Sequence, residues 1–437
     1  MMRSKFFILI LLLSACTFGK KNKLQNRAFI YSENIKKAQP FFKVYNDSKT
    51  SSTLYCKIKT TDFLSVYSAS EKQNKISYTL IGNLFLQGED FTVDSFSISK
   101  NIATDTIADT IEKIRLQTED GEKYILKISV TDNHKISITN HSIHIDKSKM
   151  NKDDYLVFNN GNQLQFSNYF NINDTLVIKN NSQQKNLFIK YYNEYFSLAK
   201  PPFVVGELKS KEISADKVFP FITDTTFFIL PINEIGIYQI LESENTENGM
   251  SILAFENDFP KTTYAKDMIT PLQYICNKEE FLQLNEIKNP KIAIDEFWLS
   301  KTKGDKTQAK KIIRTFYKRV EDANTFFTCY KAGWKTDRGM ILIIFGAPNI
   351  IYQSIEGESW IYGEKNNVFS LNFTFTKMKN KFTDNDYQLN RSVYFKNVWN
   401  TAQSAWRDGH AYSDMDIKEK IYEQERRQRQ SQLYFWH

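Results

Sequence analysis

From about Phe41 to Asp258 the apolar residues recur at every second position in short runs; after Pro260 they recur every third or fourth. That change of period constrains the chain more than any other feature. Period two sends side chains to alternate faces of a strand, whereas a period near 3.6 gathers them on one face of a helix. Ile76–Leu80, Phe91–Val93, Phe96–Ile98, Ile128–Val130 and Ile136–Ile138 all alternate, parted by turn-forming clusters such as Thr131–His134. Thr104–Lys113 interrupts them and reads as a loop or an edge strand. The pattern predicts an antiparallel, Ig-like β-sandwich over 41–150. Tyr155–Phe158, Leu164–Phe166, Thr175–Ile178, Leu187–Tyr191, Thr226–Leu230 and Gly236–Leu241 predict a second sandwich over 151–260. Pro201-Pro202 suits an edge or a connection there, since proline cannot donate to a ladder.

The remaining residues, 261–437, predict a mixed α/β domain, so the fold class is α+β and multidomain. Residues 264–284 favour helix, and Asn289-Pro290 is a helix start, with Ile294, Phe297 and Trp298 sharing a face. From Lys306 to Cys329 the residues Ala309, Ile312, Ile313, Phe316, Tyr317, Val320, Ala323 and Phe327 trace one amphipathic face. Asp305 or Thr307 is the candidate cap. Met340–Phe345 is apolar throughout and reads as a strand covered on both sides; Trp360–Tyr362 and Phe369–Phe375 follow as strands. The tail from about Asp416 reads as a charged helix, with Glu423 facing Arg427 and Glu425 facing Arg429. Acids interleave with bases there, which argues for a solvated face and against nucleic-acid binding. Leu433-Tyr434-Phe435-Trp436-His437 ends the chain with aromatics suited to docking.

Composition bounds the class. Of 437 residues, 41% are hydrophobic, which is enough for packed cores. Four cysteines cannot staple so long a chain. The net charge of +8 is spread thinly, so no nucleic-acid partner is expected. The address is clearer. Arg3 and Lys5 precede the apolar run Phe6–Leu13, followed by Leu13-Ser14-Ala15-Cys16. Eight apolar residues fall far short of the ~20 a spanning helix needs, but they fit the core of a secretory signal. The segment resembles the lipobox of bacterial lipoproteins. That resemblance implies a signal over 1–15, cleavage before Cys16, and acylation of Cys16. The alternative is an ordinary cleaved signal with an incidental cysteine. Residues 16–40 read as a basic, lipidated tether, with no acid between Cys16 and Glu33. Such an arm is drawn to anionic headgroups by ~1 kcal/mol per charge. With no acidic surface-export tag after the cysteine, the lipoprotein resemblance implies the periplasmic side of the outer membrane; the cell surface is the alternative.

Groups for catalysis are hard to find. There is no phosphate-binding glycine loop, no paired-histidine helix and no nucleophile elbow. Cys56, Cys276 and Cys329 are not close in sequence; Cys56 and Cys329 read as small buried hydrophobes. His141, His144 and Asp146 are the only close grouping, and a spacing of three on a strand sends the two imidazoles to opposite faces. No catalytic residue, metal or cofactor is expected. One segment stands out: Gly333-Trp334-Lys335-Thr336-Asp337-Arg338-Gly339, followed by the apolar run and by Gly346-Ala347-Pro348. Structurally, Gly333 ends the long helix in a left-handed conformation and Trp334 covers the junction. Asp337 accepts backbone N–H groups in a local turn, Arg338 pairs with Asp337 or Glu358, and Gly346 and Pro348 close the run. The functional alternative is a groove in which Trp334, Asp337 and Arg338, with Trp360, contact a ligand.

Gly333-Trp334-x-Thr336-Asp337 resembles the motif of the GWxTD-domain proteins. The similarity extends to Phe297-Trp298, Arg319–Phe327, Asp337-Arg338-Gly339, the Phe345-Gly346-x-Pro348 turn and Trp360-Ile361-Tyr362-Gly363. It covers about residues 264–376 firmly and the β-rich part loosely. Two departures stand out. Ala347 sits where a second proline is common. Leu342 and Ile344 replace frequent polar or aromatic residues, which implies a deeply covered face. The resemblance implies a secreted or lipid-anchored protein of Gram-negative bacteria and brings no established reaction. The expected role is a non-enzymatic scaffold or accessory subunit of an envelope assembly, with an envelope protein as partner and the membrane reached through Cys16. The alternative is a binder or hydrolase of envelope glycan or peptide.

Overall fold

The computed structural model describes residues 26–31, 37–104, 109–181, 186–193, 196–206, 213–222 and 226–434. The signal, Cys16 and the residues up to 25 lie outside these, as do the side chains of the aromatic tail.

The first eight strands are β1 (Phe41–Ser48), β2 (Ser51–Lys59), β3 (Val66–Ser68), β4 (Gln73–Leu86), β5 (Thr92–Ala103), β6 (Asp109–Gln117), β7 (Lys123–Asp132) and β8 (Ser137–Asp146). They make two antiparallel sheets, β1-β2-β6 and β3-β4-β7-β8, with β5 also paired to β4. The alternation drives this arrangement. Leu54, Cys56 and Ile58 of β2 face Ile76, Tyr78 and Leu80 of β4 in one core, while intervening residues meet solvent. His141 and His144 lie on β8 as expected, His141 against the Phe42 ring at 5.1 Å and His144 exposed. Burial, reinforced by the positive charge of Arg27, pushes the His141 imidazole down to about 4.

The next eight strands are β9 (Tyr155–Phe158), β10 (Tyr169–Asn171), β11 (Thr175–Asn180), β12 (Asn186–Tyr192), β13 (Lys217–Ile222), β14 (Phe227–Pro231), β15 (Gly236–Leu241) and β16 (Met250–Phe255). Sheets β10-β16-β15-β12-β13 and β14-β11-β9 enclose a core that includes Leu176, Ile178, Leu187, Ile189, Leu230, Ile240 and Ile252. Two expectations fail here. The module is not wholly antiparallel, because β10 runs parallel to β16. Leu164–Phe166 is no strand and contributes one bridge, Leu164 to Phe158. β16 carries little alternation because it is buried on both faces: Ile252 faces the module's own core, and Leu253 meets Tyr192, Ile237 and Phe382.

After the cis peptide at Phe259-Pro260 the chain turns helical. The helices are α1 (Ala265–Ile269), α2 (Lys278–Glu286), α3 (Pro290–Lys301), α4 (Lys306–Phe327), α5 (Asp337–Phe345), α6 (Phe395–Arg407) and α7 (Asp414–Tyr434). Between α5 and α6 lies the antiparallel sheet β17 (Ile350–Gln353), β18 (Gly357–Tyr362), β19 (Leu371–Lys377) and β20 (Tyr387–Leu389). Asn289 caps α3, and Asp305 caps α4 by accepting from the Thr307 and Gln308 N–H groups at 2.8 and 3.1 Å. On α7, Ile417 and Ile421 are buried; Glu423 meets Arg427 at 3.8 Å, while Glu425 accepts from Asn367 Nδ2 at 2.8 Å.

Three further expectations are corrected. Met340–Phe345 is the body of helix α5, not a strand. A run apolar on every side has no period to read, and a helix buried all round looks the same in sequence as a strand covered on both faces. Here Thr336 starts the helix by accepting the Gly339 N–H at 3.0 Å, and Gly346, at φ +79°, ends it. Gly333 does not end α4 in a left-handed conformation; it opens a 3-10 turn, Gly333–Lys335. Finally, the stretch read as tether is partly folded. Ala28–Tyr31 forms a 3-10 turn packed on the C-terminal core, and the Arg27 N–H donates to the Ile351 carbonyl at 2.8 Å.

Gly333 is required by closeness. A Cβ there would be driven into the Ala323 carbonyl oxygen of α4, which is backbone and cannot give way. Gly333→Ala is therefore expected to cost ~3 kcal/mol or more, read as a lower urea midpoint at unchanged slope. A second expectation concerns acid. Unfolded chains protonate His141 near its ordinary 6.5, while the folded chain resists protonation until about 4. The stability held by neutral His141 is thus complete above pH 6.5 and is lost as pH falls from 6.5 towards 4. Asp153, which burial pushes up to about 6, acts in the opposite sense over part of that window. Comparing the wild type with His141→Gln at each pH cancels that contribution, and the wild type should lose ground steadily below pH 6.5.

Candidate functional site

The motif sits where α4 hands over to α5, and its side chains face inward. Asn324 of α4 organises the approach: its Oδ1 accepts the Trp334 N–H at 3.1 Å and its Nδ2 donates to the Pro260 carbonyl at 3.0 Å. Thr328 Oγ1 accepts the Gly333 N–H at 3.1 Å. Thr336 donates its hydroxyl to the Gly333 carbonyl at 2.7 Å while capping α5. Gly339 lies under that carbonyl, and a Cβ there would also clash with backbone. Trp334 is half-buried, edge-on to Tyr274 at 6.3 Å, whose hydroxyl donates to the Trp334 carbonyl at 3.0 Å.

Asp337 makes no local turn. Its Oδ2 accepts the Leu389 N–H at 2.7 Å, and both carboxylate oxygens accept from Arg391, at 3.0 and 2.5 Å. Arg391 also donates to the Lys200 carbonyl, and the Ala199 N–H donates to the Lys335 carbonyl, each at 3.0 Å. Pro201-Pro202 therefore belongs to a connection laid against the motif, with Ala199 inside the C-terminal core.

Arg338 pairs with Glu358 of β18 at 3.1 Å, and both side chains are 2% exposed. Its other amine donates to Asn385, to the carbonyl at 2.9 Å and to Oδ1 at 2.5 Å. The guanidinium lies over the Tyr387 ring at 3.8 Å and the Phe327 ring at 4.8 Å. Glu358 is equally occupied. Its Oε1 accepts from Tyr31 at 3.1 Å and from Gln353 at 2.9 Å, and its Oε2 from Trp360 Nε1 at 2.9 Å. This surrounding pushes the Tyr31 hydroxyl well above its ordinary range, first by burial and then by the Glu358 charge.

At the other end of α5, Arg319 donates to the Ile343, Ile344 and Tyr412 carbonyls at 3.0, 3.3 and 2.8 Å. A cation on the last carbonyls offsets the helix dipole. A Cβ on Gly346 would stand 2.8 Å from Arg319 Nη2, so glycine also leaves room for this arginine. Pro348 is buried just beyond.

The structure thus brings Gly333, Trp334, Thr336, Asp337, Arg338, Gly339 and Trp360 into one neighbourhood, with Gly346 and Pro348 at the far end of α5. Sequence reasoning named Glu358 as a partner, and Arg319 and Asn324 only as part of the family-like segment Arg319–Phe327; it missed Thr328, Asn385, Arg391 and Tyr31. Arg391 lies 54 positions from Asp337 and Tyr31 lies 327 from Glu358, so no local pattern announces either. Among the described residues no group of three or more His, Cys, Asp or Glu side chains could hold a metal ion, and Cys56, Cys276 and Cys329 are free thiols.

Residues 236–408 match the model of the GWxTD domain. The chain contains a GWxTD domain. The match begins at β15, so this domain takes in the last hairpin of the second β-module as well as the helices and sheet that follow. No curated protein matches the chain. Among solved structures, a glycosyl hydrolase family 2 member from Bacteroides cellulosilyticus DSM 14838 aligns at 9% identity over 29% of this chain and 16% of its own, with a TM-score of 0.19. A second structure of such a member from Bacteroides cellulosilyticus aligns at 10% identity over 30% and 16%, with a TM-score of 0.18. The chain spans under a fifth of the length of these enzymes, and likeness at that level carries no argument.

The Arg338–Glu358 pair gives a direct expectation. Arg338→Met leaves the buried Glu358 without its ion-pair partner and should cost ~3–5 kcal/mol. Adding Glu358→Gln should recover part of the loss, giving a coupling energy of ~1–3 kcal/mol in a double-mutant cycle read by urea unfolding.

Proposed function

We propose that this protein is a non-enzymatic scaffold or accessory subunit of an envelope protein assembly, anchored through acylated Cys16 on the periplasmic side of the outer membrane. Export, barrel-assembly and surface-organelle machines are the assemblies that such a subunit suits. One observation supports the non-enzymatic role most: the charged side chains of the motif are engaged inside the protein. Both Asp337 oxygens are taken by Arg391 and Leu389, and both terminal amines of Arg338 by Glu358 and Asn385. A groove for glycan or peptide at this point would need those groups free to meet a ligand. The two β-modules and the GWxTD domain add broad side-chain surfaces to this, and the lipobox-like leader supports the address.

Gentle detergent extraction of the tagged, acylated chain should recover an envelope protein in stoichiometric amount, identified by mass spectrometry. Recovery as a monomer alone would overturn the scaffold reading. Binding of a peptidoglycan or glycan fragment, lost in a folded Asp337→Asn/Arg338→Ala variant, would favour the groove instead.

A further inference from the structure

Residues 26–31 form a strap across the GWxTD domain. Asn26 brackets the start of β17: its Oδ1 accepts the Ile351 N–H at 3.0 Å and its Nδ2 donates to the Asn349 carbonyl at 3.1 Å. Arg27 donates to Gln353 Oε1 at 2.9 Å and, across the module boundary, to the Asn140 carbonyl of β8 at 3.2 Å. Ala28 and Phe29 are buried. Tyr31 enters the core, with its ring 4.8 Å from Phe327 and 5.5 Å from Trp360, and its hydroxyl on Glu358. Backbone, side-chain and ring contacts together pin this segment at both ends, which a free tether would not need.

We infer that the strap sets how closely the protein stands to its membrane: the chain leaves the folded body for the anchor at Asn26, beside the junction of β8 and β17, and not twelve residues later at Ala38, where it enters the first β-core. This rests on the Cys16 anchor proposed above. The physical consequence is a short leash. Ten residue steps separate Cys16 from Asn26, reaching at most ~34 Å; a tether free as far as Ala38, which is buried in the first β-core, would reach ~75 Å. The strap therefore holds the β8–β17 junction of the GWxTD domain and first β-module within ~34 Å of the bilayer, facing anionic headgroups that the lysines at 20, 21 and 23 attract.

The test uses the acylated full chain in phosphatidylethanolamine–phosphatidylglycerol vesicles carrying an acceptor dye on lipid. A donor dye is placed at Ile138→Cys, an exposed position two residues from Asn140. Strong energy transfer is expected with the native strap. Arg27→Ala/Tyr31→Ala should cut it by about half or more, as the leash lengthens from ~34 to ~75 Å, and should speed tryptic cleavage after Lys37, whose ammonium lies over the strap's Phe29 ring at 4.9 Å. If that variant fails to fold, Arg27→Gln/Tyr31→Phe removes the side-chain hydrogen bonds while keeping the ring, and a smaller fall in transfer is expected. Equal transfer in a folded strap variant and the wild type would overturn the placement while leaving the anchor intact. Cys16→Ser separates the two readings. It should leave the chain off the vesicles, and vesicle binding that survives it would overturn the anchor and this placement together.

Discussion

The buried pair of Arg338 and Glu358 is the constraint around which the C-terminal half is arranged. Removing two charges from water costs several kcal/mol for each, and their attraction offsets this only when the remaining donors and acceptors are filled. Here they are filled by groups from widely separated segments: Tyr31 ahead of β1, Gln353 at the end of β17, Trp360 on the same strand as Glu358, and Asn385 before β20. None of these can be misplaced without leaving a charge unsatisfied. The pair therefore makes one arrangement far better than its competitors, whatever its net contribution to stability.

The same logic assigns a physical task to each letter of the motif. The glycines at 333 and 339 are spacers that let α4, the 3-10 turn and α5 approach at backbone distance. Thr336 turns the chain into α5 by capping it. Asp337 and Arg338, adjacent in sequence, point to different partners, Arg391 and Glu358, and so tie α5 both to the segment that follows β20 and to the inner strand β18. Trp334 closes the side towards Tyr274. A motif built this way joins α4, α5 and the small sheet, and its residues are fixed by how closely those elements pack.

Much of the fold was legible from period alone. The alternating runs marked most strands of both β-modules, and the spacing of three and four marked α3 and α4, down to the Asn289 and Asp305 caps. Two of the failures share a physical origin. Where an element is buried on every side, its sequence loses its period; hence α5 reads as a strand and β16 carries no mark in the sequence. The site was half legible. The glycines, Thr336 and the ion-pairing residues carry signals of type and spacing, whereas Arg391, Asn385 and Tyr31 act across tens to hundreds of positions.

By itself the sequence determined the class of the chain: β-rich modules first, a helical and mixed domain after, and the GWxTD segment at the end of the long helix. Those features depend on neighbours a few residues apart, and local sterics, capping and alternation suffice to decide them. Only the tertiary structure decided that the motif's charges face inward, that α5 is a helix, and that residues 26–31 dock as a strap. Each depends on what covers a surface or satisfies a charge from far along the chain, and that is settled by the cost of burying a polar group without a partner.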